Sequence, residues 1–289
     1  MTFIKLSLLP SGHLTLPTRF FCADQSSSPE CLLVPSMSFL LQHPTGKKIV
    51  FDLGLRRNLY NYRGSIQPHL QTRQPIHTVP DVSDSLRKGG LDPNDIDAVI
   101  LSHVHYDHVG TPGDFTNAVF IVGAGTGALL RDGMSYHSAA HFERDLLPIG
   151  RSVDLPTPTS YPRSSGEELE GSIPGLNRVI SGVPHKWTPL PPFKSAVDIF
   201  GDGLLYIIDS PGHLVGHLNV LVRVRENKCV YLAGDACHHP RLLNGETGMA
   251  EREEGGRIVC IHADKKVAEE TLSCIQSARV GGSRGKEGR

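Results

Sequence analysis

Three histidines and an aspartate lie within the six residues from His103 to His108, whose sequence is His-Val-His-Tyr-Asp-His. Side chains two residues apart in an extended chain point to the same side, so His103 and His105 can reach one cation. The turn that follows directs Asp107 and His108 towards an adjacent point, and Gly110 permits a tight turn. Neutral imidazole nitrogens and carboxylate oxygens suit Zn²⁺, and Fe or Mn accepts the same ligands. The segment therefore predicts a metal site.

One short segment cannot surround a metal ion, so further ligands must come from elsewhere in the chain. His213 follows an apolar run in the sequence Ser-Pro-Gly-His, where Pro211 and Gly212 favour a turn that presents the imidazole. Asp235 comes 22 positions later in Ala-Gly-Asp, a separation that suits one hairpin. Its carboxylate could bridge two cations, and a turn-capping role is the alternative.

Apolar runs precede each of these candidate ligands and predict the elements that position them. Buried strands are predicted over 98–101, 118–122 and 204–208, and hairpins over 37–53 and 219–232. Helices are predicted over 81–89, 126–131 and 264–278, the last with an apolar stripe and with Asp264 near its start. Each candidate ligand thus follows directly after a predicted strand or hairpin.

Two segments depart from this regular pattern. Residues 148–192 contain nine prolines and few periodic apolar residues. We interpret them as an irregular loop excursion over the surface of a single domain spanning 1–278. The loop could act as a lid over a binding site, or it could be an insert without a role. Residues 279–289, with four glycines and four Arg or Lys, predict a disordered basic tail.

The composition excludes several classes of function. The 289 residues carry 29 Lys and Arg against 30 Asp and Glu, a formal net charge of −1, which gives no basic excess for nucleic acid or an anionic membrane. The six cysteines form no Cys-x-x-Cys pair. No membrane span or signal peptide is expected, and we predict a cytoplasmic protein with reduced thiols.

The His-x-His-x-Asp-His pattern of residues 103–108 resembles the signature of the metallo-β-lactamase superfamily. Pro211-Gly212-His213 and Gly234-Asp235 resemble its next two ligand motifs, in the same order. The pair His213 and His217 in His-Leu-Val-Gly-His is similar to the N-acyl-homoserine lactonases and their fungal lactonase-like relatives. The resemblance extends over about residues 1 to 278 and implies a four-layer α/β fold, an αββα sandwich, with two zinc ions at one edge.

The resemblance also implies roles for individual residues. It implies His103, His105 and His213 on one zinc ion, Asp107 and His108 on the second, and Asp235 between the two. In the bacterial lactonases a tyrosine three residues after the bridging aspartate polarises the substrate carbonyl. His238 takes that position here, so it is a candidate catalytic residue together with Asp107; an exposed polar pair with His239 is the alternative.

Three further side chains have open roles. Asp52, before Gly54, either orients a ligand or shapes a turn. His217 is expected to cap or pack and not to bind metal. The family supplies one more histidine to the second zinc ion from a strand after the last long helix, and no histidine follows residue 278 here. His262 precedes the predicted helix 264–278, so whether it is a ligand, and whether the second site is filled, stays open.

The expected function is that of a zinc-dependent hydrolase that opens a lactone or cleaves a related ester through a metal-bound hydroxide. Asp107 would position the nucleophile and then pass its proton to the leaving group. One alternative is a thioesterase that releases acyl or polyketide chains from a carrier. A metal-poor member without turnover, and an iron-dependent sulfur-oxidising or glyoxalase-type member, also stay open. The expected partner is a small lactone, ester or acyl-thioester, with no nucleic acid and no membrane.

Overall fold

The structure, a computed structural model, describes residues 2–134, 141–158 and 173–281. Within them, the first sheet contains six strands in chain order: β1 Lys5–Pro17, β2 Cys31–Gln42, β3 Lys48–Phe51, β4 Ala98–Ile100, β5 Val119–Val122 and β6 Ser152–Asp154. β1, β2 and β3 pair antiparallel, whereas β3 to β6 run parallel. The carboxyl ends of β3 and β4 therefore meet at one edge, which carries Asp52 and the segment 103–108.

The second sheet is antiparallel and has the strand order β11-β10-β9-β8-β7. Its strands are β7 Thr188–Leu190, β8 Phe193–Asp198, β9 Leu205–Asp209, β10 Leu218–Arg225 and β11 Lys228–Leu232. β9 and β11 flank β10 and run in the same direction, so the loops that carry His213 and Asp235 leave the same edge. The amide of Leu218 donates to the Ser102 carbonyl at 2.7 Å and ties the two sheets together there.

The two sheets pack face to face over a single apolar layer. Phe51 and Ile100 from the first sheet belong to the same buried cluster as Val197, Ile207 and Val220 from the second. All five side chains are at most 1% exposed. Alternate residues on each strand point to opposite faces, so the outer faces need their own cover.

Helices supply that cover. The helices are α1 Gln67–Gln71, α2 Val82–Lys88, α3 Tyr106–Val109, α4 Thr126–Asp132, α5 Pro240–Leu243 and α6 Lys265–Gly281. Leu86 of α2 and Leu129 of α4 share a buried cluster with Val99 of the first sheet. Ile275 of α6 packs with Ile208 on the outer face of the second sheet. The four layers form an αββα sandwich, as predicted.

The start of α6 is held against the loop that carries His213. Asp264 accepts a hydrogen bond from the amide of Val267 at 3.0 Å and caps the helix. Gly212 has φ +122°, and a side chain at this position would collide with the backbone of Ala268. The absence of a side chain at Gly212 thus lets α6 approach the candidate ligand loop closely.

Most of the predicted elements are present. The strands predicted over 98–101, 118–122 and 204–208 correspond to β4, β5 and β9. The two hairpins are β2–β3 and β10–β11, and the three helices are α2, α4 and α6. These elements have clear periodic or continuous apolar patterns, which is why the sequence was sufficient to predict them.

The long strand β1, Lys5–Pro17, was not predicted because Pro10 and Gly12 interrupt its pattern. β1 lies at the edge of the first sheet, where a missing amide hydrogen is tolerated. The register with β2 shifts between Pro10 and His13, which accommodates the interruption.

The prediction of an irregular excursion over 148–192 is only partly correct for its described residues. β6 adds a sixth strand to the first sheet, and β7 forms one edge of the second sheet. Both have three residues and depend on pairing with a neighbour, so neither leaves a periodic signal. Residues 159–172 lie outside the described part.

The predicted tail over 279–289 begins too early, because α6 continues to Gly281. Residues 282–289 lie outside the described part. The division into one domain over 1–278 and a tail stays a prediction. In the described residues, no helix has the length and apolar character needed to cross a membrane.

The layer between the sheets should dominate stability. Ile207→Ala, at a fully buried position in this layer, should lower the free energy of unfolding by about 2–5 kcal/mol, because it removes apolar contacts and leaves a cavity. Ile258→Ala, at a position that is 68% exposed on the strand Arg257–Val259, should change it by less than about 0.5 kcal/mol. Urea unfolding measures both values, and equal losses would contradict the proposed position of the core.

Candidate metal centre

Four donor side chains meet where the two sheets end. One ligand atom from each of His103, His105, His213 and Asp235 lies within 4.8 Å of the others. The Nδ1 atom of His105 lies 2.8 Å from Nε2 of His103 and 3.1 Å from Nε2 of His213. Oδ2 of Asp235 lies 3.5 Å from Nε2 of His213. Three imidazole nitrogens and a carboxylate oxygen therefore converge on one point.

The convergence fits a zinc ion. Zn–N bonds of about 2.0–2.1 Å in a tetrahedral site place the nitrogens about 3.3 Å apart, close to the spacing found here. Burial lowers the pKa of both His103 and His213 well below the usual value, and neighbouring histidines lower it further. Both rings are therefore neutral at physiological pH, which is the form that binds a metal ion.

His108 lies between two carboxylates on the other side of Asp235. Its Nε2 is 3.1 Å from Oδ1 of Asp235, and its Nδ1 is 2.8 Å from Oδ2 of Asp52. Burial lowers the pKa of His108, but the two carboxylates outweigh it and raise the pKa well above the usual value. The geometry therefore favours a positive charge beside Asp235.

Asp107 and Asp235 are half-buried carboxyl groups whose pKa values shift in opposite directions. Burial raises the pKa of Asp107, and the charge of Asp235 adds to the rise against the effect of His108. Burial also raises the pKa of Asp235, but the charges of His108 and His238 and their hydrogen bonds bring it well below the usual value. Asp235 is thus the carboxylate of the pair, and Asp107 is the group that holds a proton more readily.

Asp52 organises the segment from Ser102 to His108. It adopts a left-handed backbone with φ +58° and is 2% exposed. Its carboxylate accepts hydrogen bonds from the amide of Ser102 at 2.6 Å and from the Ser102 hydroxyl at 2.7 Å. The same carboxylate contacts Nδ1 of His108. Of the two roles considered for Asp52, the structure supports orientation of a candidate ligand.

His217 positions Asp235 through a hydrogen bond to the backbone. Its Nε2 accepts a hydrogen bond from the Asp235 amide at 3.1 Å, so its Nδ1 carries the hydrogen and donates to the carbonyl of Ser210 at 3.0 Å. Gly234 makes this contact possible, since a Cβ atom there would lie 3.0 Å from Nε2 of His217. His217 packs and caps as expected and is outside the groups that can hold a metal ion.

His238 and His262 form a second group with His213. Nε2 of His238 lies 3.1 Å from Oδ2 of Asp235, and its ring stacks on Phe21 with centroids 5.0 Å apart. Nδ1 of His262 lies 3.2 Å from Nδ1 of His213, on the side of that ring that faces away from Asp235. His262 therefore contacts a candidate ligand and belongs, with His213 and His238, to a second group of donors that could hold a metal ion.

The structure brings all the predicted site residues to one edge. His103, His105, His213 and Asp235 form the closest group, His108 and Asp107 lie beside Asp235, and His238 contacts Asp235 directly. Their roles as metal ligands or catalytic groups stay predictions. The sequence analysis missed Ser102, whose hydroxyl also lies 3.0 Å from Nδ1 of His103. Its only signal was its place between a buried strand and the first histidine.

Comparison with known proteins agrees with this geometry. The family model of the metallo-beta-lactamase superfamily matches residues 32–246. The chain is 34% identical to metallo-hydrolase mfmC of Annulohypoxylon moriforme over 219 residues, which are 73% of this chain and 50% of that protein. The matched segment thus spans about half the length of this relative. It is 27% identical to the N-acyl homoserine lactonase AttM of Agrobacterium fabrum over 240 residues, 82% of this chain and 78% of that protein.

A solved structure shares the fold. AiiA of B. thuringiensis, as a variant with N-decanoyl-L-homoserine bound at its active site, superimposes with a TM-score of 0.64 at 18% sequence identity. The superposition covers 98% of this chain and 91% of that protein. Since the matched family segment ends at residue 246, His262 and α6 lie beyond it.

The contact between Asp52 and His108 should matter for metal binding. We expect Asp52→Asn to lower zinc affinity about 10- to 100-fold, because the amide keeps the shape and tolerates the left-handed backbone but removes the charge that orients His108. Competition with a chromophoric chelator measures the affinity. Asp92→Asn, at an exposed carboxylate beside Arg87, is the matched control and should leave the affinity unchanged. Equal affinities in both variants would exclude an orienting role.

Burial of His217 should make the stability of the chelator-treated protein depend on pH. Burial lowers the pKa of His217 to about 4, against about 6.5 in the unfolded chain. As the pH falls, the unfolded state therefore binds a proton at this histidine before the folded state does. Neutral His217 contributes about 3 kcal/mol to the free energy of unfolding above pH 6.5, and this contribution is lost as the pH falls to about 4. His217→Gln, which does not titrate, should show a smaller loss in urea unfolding between pH 7 and pH 4. A slope identical to that of the unmodified protein would contradict this assignment.

Proposed function

This chain belongs to the metallo-β-lactamase superfamily, and from that membership we propose that it is a zinc-dependent hydrolase that opens a lactone or cleaves a related ester. The observation that carries the proposal is the convergence of His103, His105, His213 and Asp235 at the edge where the two sheets end. Three imidazoles and one carboxylate form a donor set that suits zinc.

We assign His103, His105 and His213 to one zinc ion and Asp107 and His108 to a second, with Asp235 between them. A bound zinc ion supplies a coordinated water of lowered pKa as nucleophile and polarises the carbonyl that is attacked. The contacts of Asp235 support a bridging role, because Oδ2 faces His213 while Oδ1 faces His108. With His262 behind His213, the second zinc ion has three assigned protein ligands.

Asp107 is the proposed acid and base. A carboxyl group beside the attacked carbonyl can both accept and donate a proton; burial and the charge of Asp235 raise the pKa of Asp107 against the effect of His108. It can accept the proton of the attacking water and donate it to the leaving oxygen. The Ser36 hydroxyl donates to the Asp107 carbonyl at 2.7 Å and fixes the backbone at this position.

His238 is the proposed hydrogen-bond donor to the substrate carbonyl. It contacts Asp235 through Nε2, and its Nδ1 is buried without a hydrogen-bond partner among the described residues. Stacking on Phe21 restricts the ring. The donor would be the Nε2–H that faces Asp235, and it can stabilise the negative charge that develops on the carbonyl oxygen. The imidazole would thus do what the tyrosine does in the bacterial lactonases.

Lactones are the proposed substrate class because AttM is named for lactone hydrolysis and AiiA binds N-decanoyl-L-homoserine at its active site. In this chain the paired carboxyl groups and His238 suit attack on an uncharged carbonyl, which lactones and esters share. Acyl-thioesters present the same carbonyl, so they are the comparison that the experiment must include.

Metal analysis and turnover should be measured on the same preparation. We expect close to two zinc ions per chain by elemental analysis, and proton release when a γ-lactone is opened. His103→Ala and Asp107→Ala should each lower kcat/KM for the lactone by about a hundredfold or more, since one removes a metal ligand and the other the proton carrier. His77→Ala removes an exposed histidine outside the cluster and should have no effect.

Other outcomes would replace the proposal. A higher kcat/KM for acyl-thioesters than for lactones of equal chain length would identify a thioesterase. Bound iron with oxygen consumption would indicate an oxidising member. A folded protein that holds one metal ion or none and turns over neither lactone nor thioester would be a non-catalytic member of the superfamily.

A further inference from the structure

Three arginines from separate parts of the chain surround one aromatic ring. The guanidinium carbons of Arg19, Arg73 and Arg252 lie 5.0, 5.4 and 4.8 Å from the centroid of Phe20. Arg19 follows β1, Arg73 follows α1, and Arg252 begins the strand Arg252–Glu254. Folding thus brings together three positive charges that are far apart in the sequence.

This arginine cluster, Arg19, Arg73 and Arg252, has little negative charge to balance it. Arg252 pairs with Glu254 at 2.9 Å, and the carboxylate of Glu254 is 66% exposed. Within the described residues, neither Arg19 nor Arg73 has a carboxylate within 4.0 Å, although Arg73 donates to the Thr72 carbonyl. Three cations on one ring repel one another, and a single aromatic ring compensates for that repulsion only in part.

Chain neighbours of the arginine cluster contact the candidate metal centre. Phe20 is followed by Phe21, whose ring stacks on His238. Arg73 follows α1, and the ring of His69 in that helix contacts the ring of Tyr106, the residue between His105 and Asp107, with centroids 5.3 Å apart. The segments that carry Phe20 and Arg73 thus both reach the candidate metal centre.

We propose that the arginine cluster binds an anionic group, a carboxylate or a phosphate, carried by the substrate of the metal centre. The inference rests on the proposed hydrolase function. It narrows the substrate class to molecules that carry a carboxylate or a phosphate in addition to the lactone, ester or thioester bond that is hydrolysed. Guanidinium groups present two parallel N–H donors that match the oxygens of either anion. The half-buried position of all three side chains strengthens such contacts relative to fully exposed ones.

A pair of substrates that differ only in charge tests the proposal. The first is a γ-lactone whose acyl chain ends in a carboxylate, and the second ends in the uncharged carboxamide. The unmodified protein should prefer the carboxylate in kcat/KM. Arg73→Gln and Arg252→Gln should each lower kcat/KM for the carboxylate about tenfold or more, mainly through KM, and leave the carboxamide within about twofold.

The matched control is Arg257→Gln. Arg257 lies opposite Glu254 in the same two-stranded hairpin, carries the same charge, and is not one of the three arginines over Phe20. It should leave both substrates unchanged. Equal losses for the two substrates in Arg73→Gln and Arg252→Gln, or an equal loss in the Arg257→Gln control, would overturn the proposal in favour of a structural or general electrostatic role.

A second pair distinguishes the source of the anion. An acyl-coenzyme A carries phosphates that the N-acetylcysteamine thioester of the same acyl chain lacks. An arginine-dependent preference within this pair, but not within the lactone pair, assigns the arginine cluster to phosphate. The reverse result assigns it to carboxylate, and the absence of preference in both pairs overturns the proposal.

Direct binding separates this proposal from the proposed function. Calorimetric titration of the purified protein with glutarate and with inorganic phosphate does not require turnover. If no lactone or thioester is hydrolysed, the proposed function fails. Binding of either probe that is weakened tenfold or more in the Arg73→Gln, Arg252→Gln double variant, but not in Arg257→Gln, would still establish the anion site. Unchanged binding would reject it.

Discussion

The arrangement of the candidate site depends on the buried carboxylate of Asp52. It accepts two hydrogen bonds from Ser102 and contacts Nδ1 of His108, so one side chain fixes both ends of the histidine segment. A buried carboxylate without partners would be costly, and these contacts satisfy it. Its left-handed backbone, at φ +58°, turns the chain at the end of β3 and aims the carboxylate across to the end of β4. The strain is tolerated because the surrounding contacts hold it.

The second sheet supplies the other half of the site, and its side chains are also held in place by hydrogen bonds from neighbouring residues. Asp235 is held through its backbone amide by His217, and His213 is supported by His262 and by the start of α6. The Leu218–Ser102 hydrogen bond joins the two halves. Buried imidazoles of lowered pKa lie around two half-buried carboxyl groups, and His108 and His238 hold the pKa of Asp235 well below its usual value against the effect of burial. This distribution of charge suits a cation between the two sheets.

The surroundings of the site bear on what it can hydrolyse. Phe20 and Phe21 are neighbours in the sequence, yet one lies under three arginines and the other under His238. Positive charge beside the candidate metal centre would favour substrates with a separate anionic group. His262 contacts His213, so the proposed second metal site has Asp107, His108 and Asp235 as its assigned ligands.

The sequence alone determined the strands before the candidate ligands and the helices α2, α4 and α6, because these depend on local periodicity. It also singled out the candidate metal ligands from the spacing of His103 to His108. It also predicted the four-layer fold through a family resemblance. Only the tertiary structure decided what Asp52, Ser102, His217 and His262 contact, since each acts on a residue whose partner comes from another strand or loop. The arginine cluster is of the same kind, because Arg19, Arg73 and Arg252 have no common pattern in the sequence. Short strands such as β6 were also beyond the sequence, because three residues form a strand only when a neighbour supplies the hydrogen bonds.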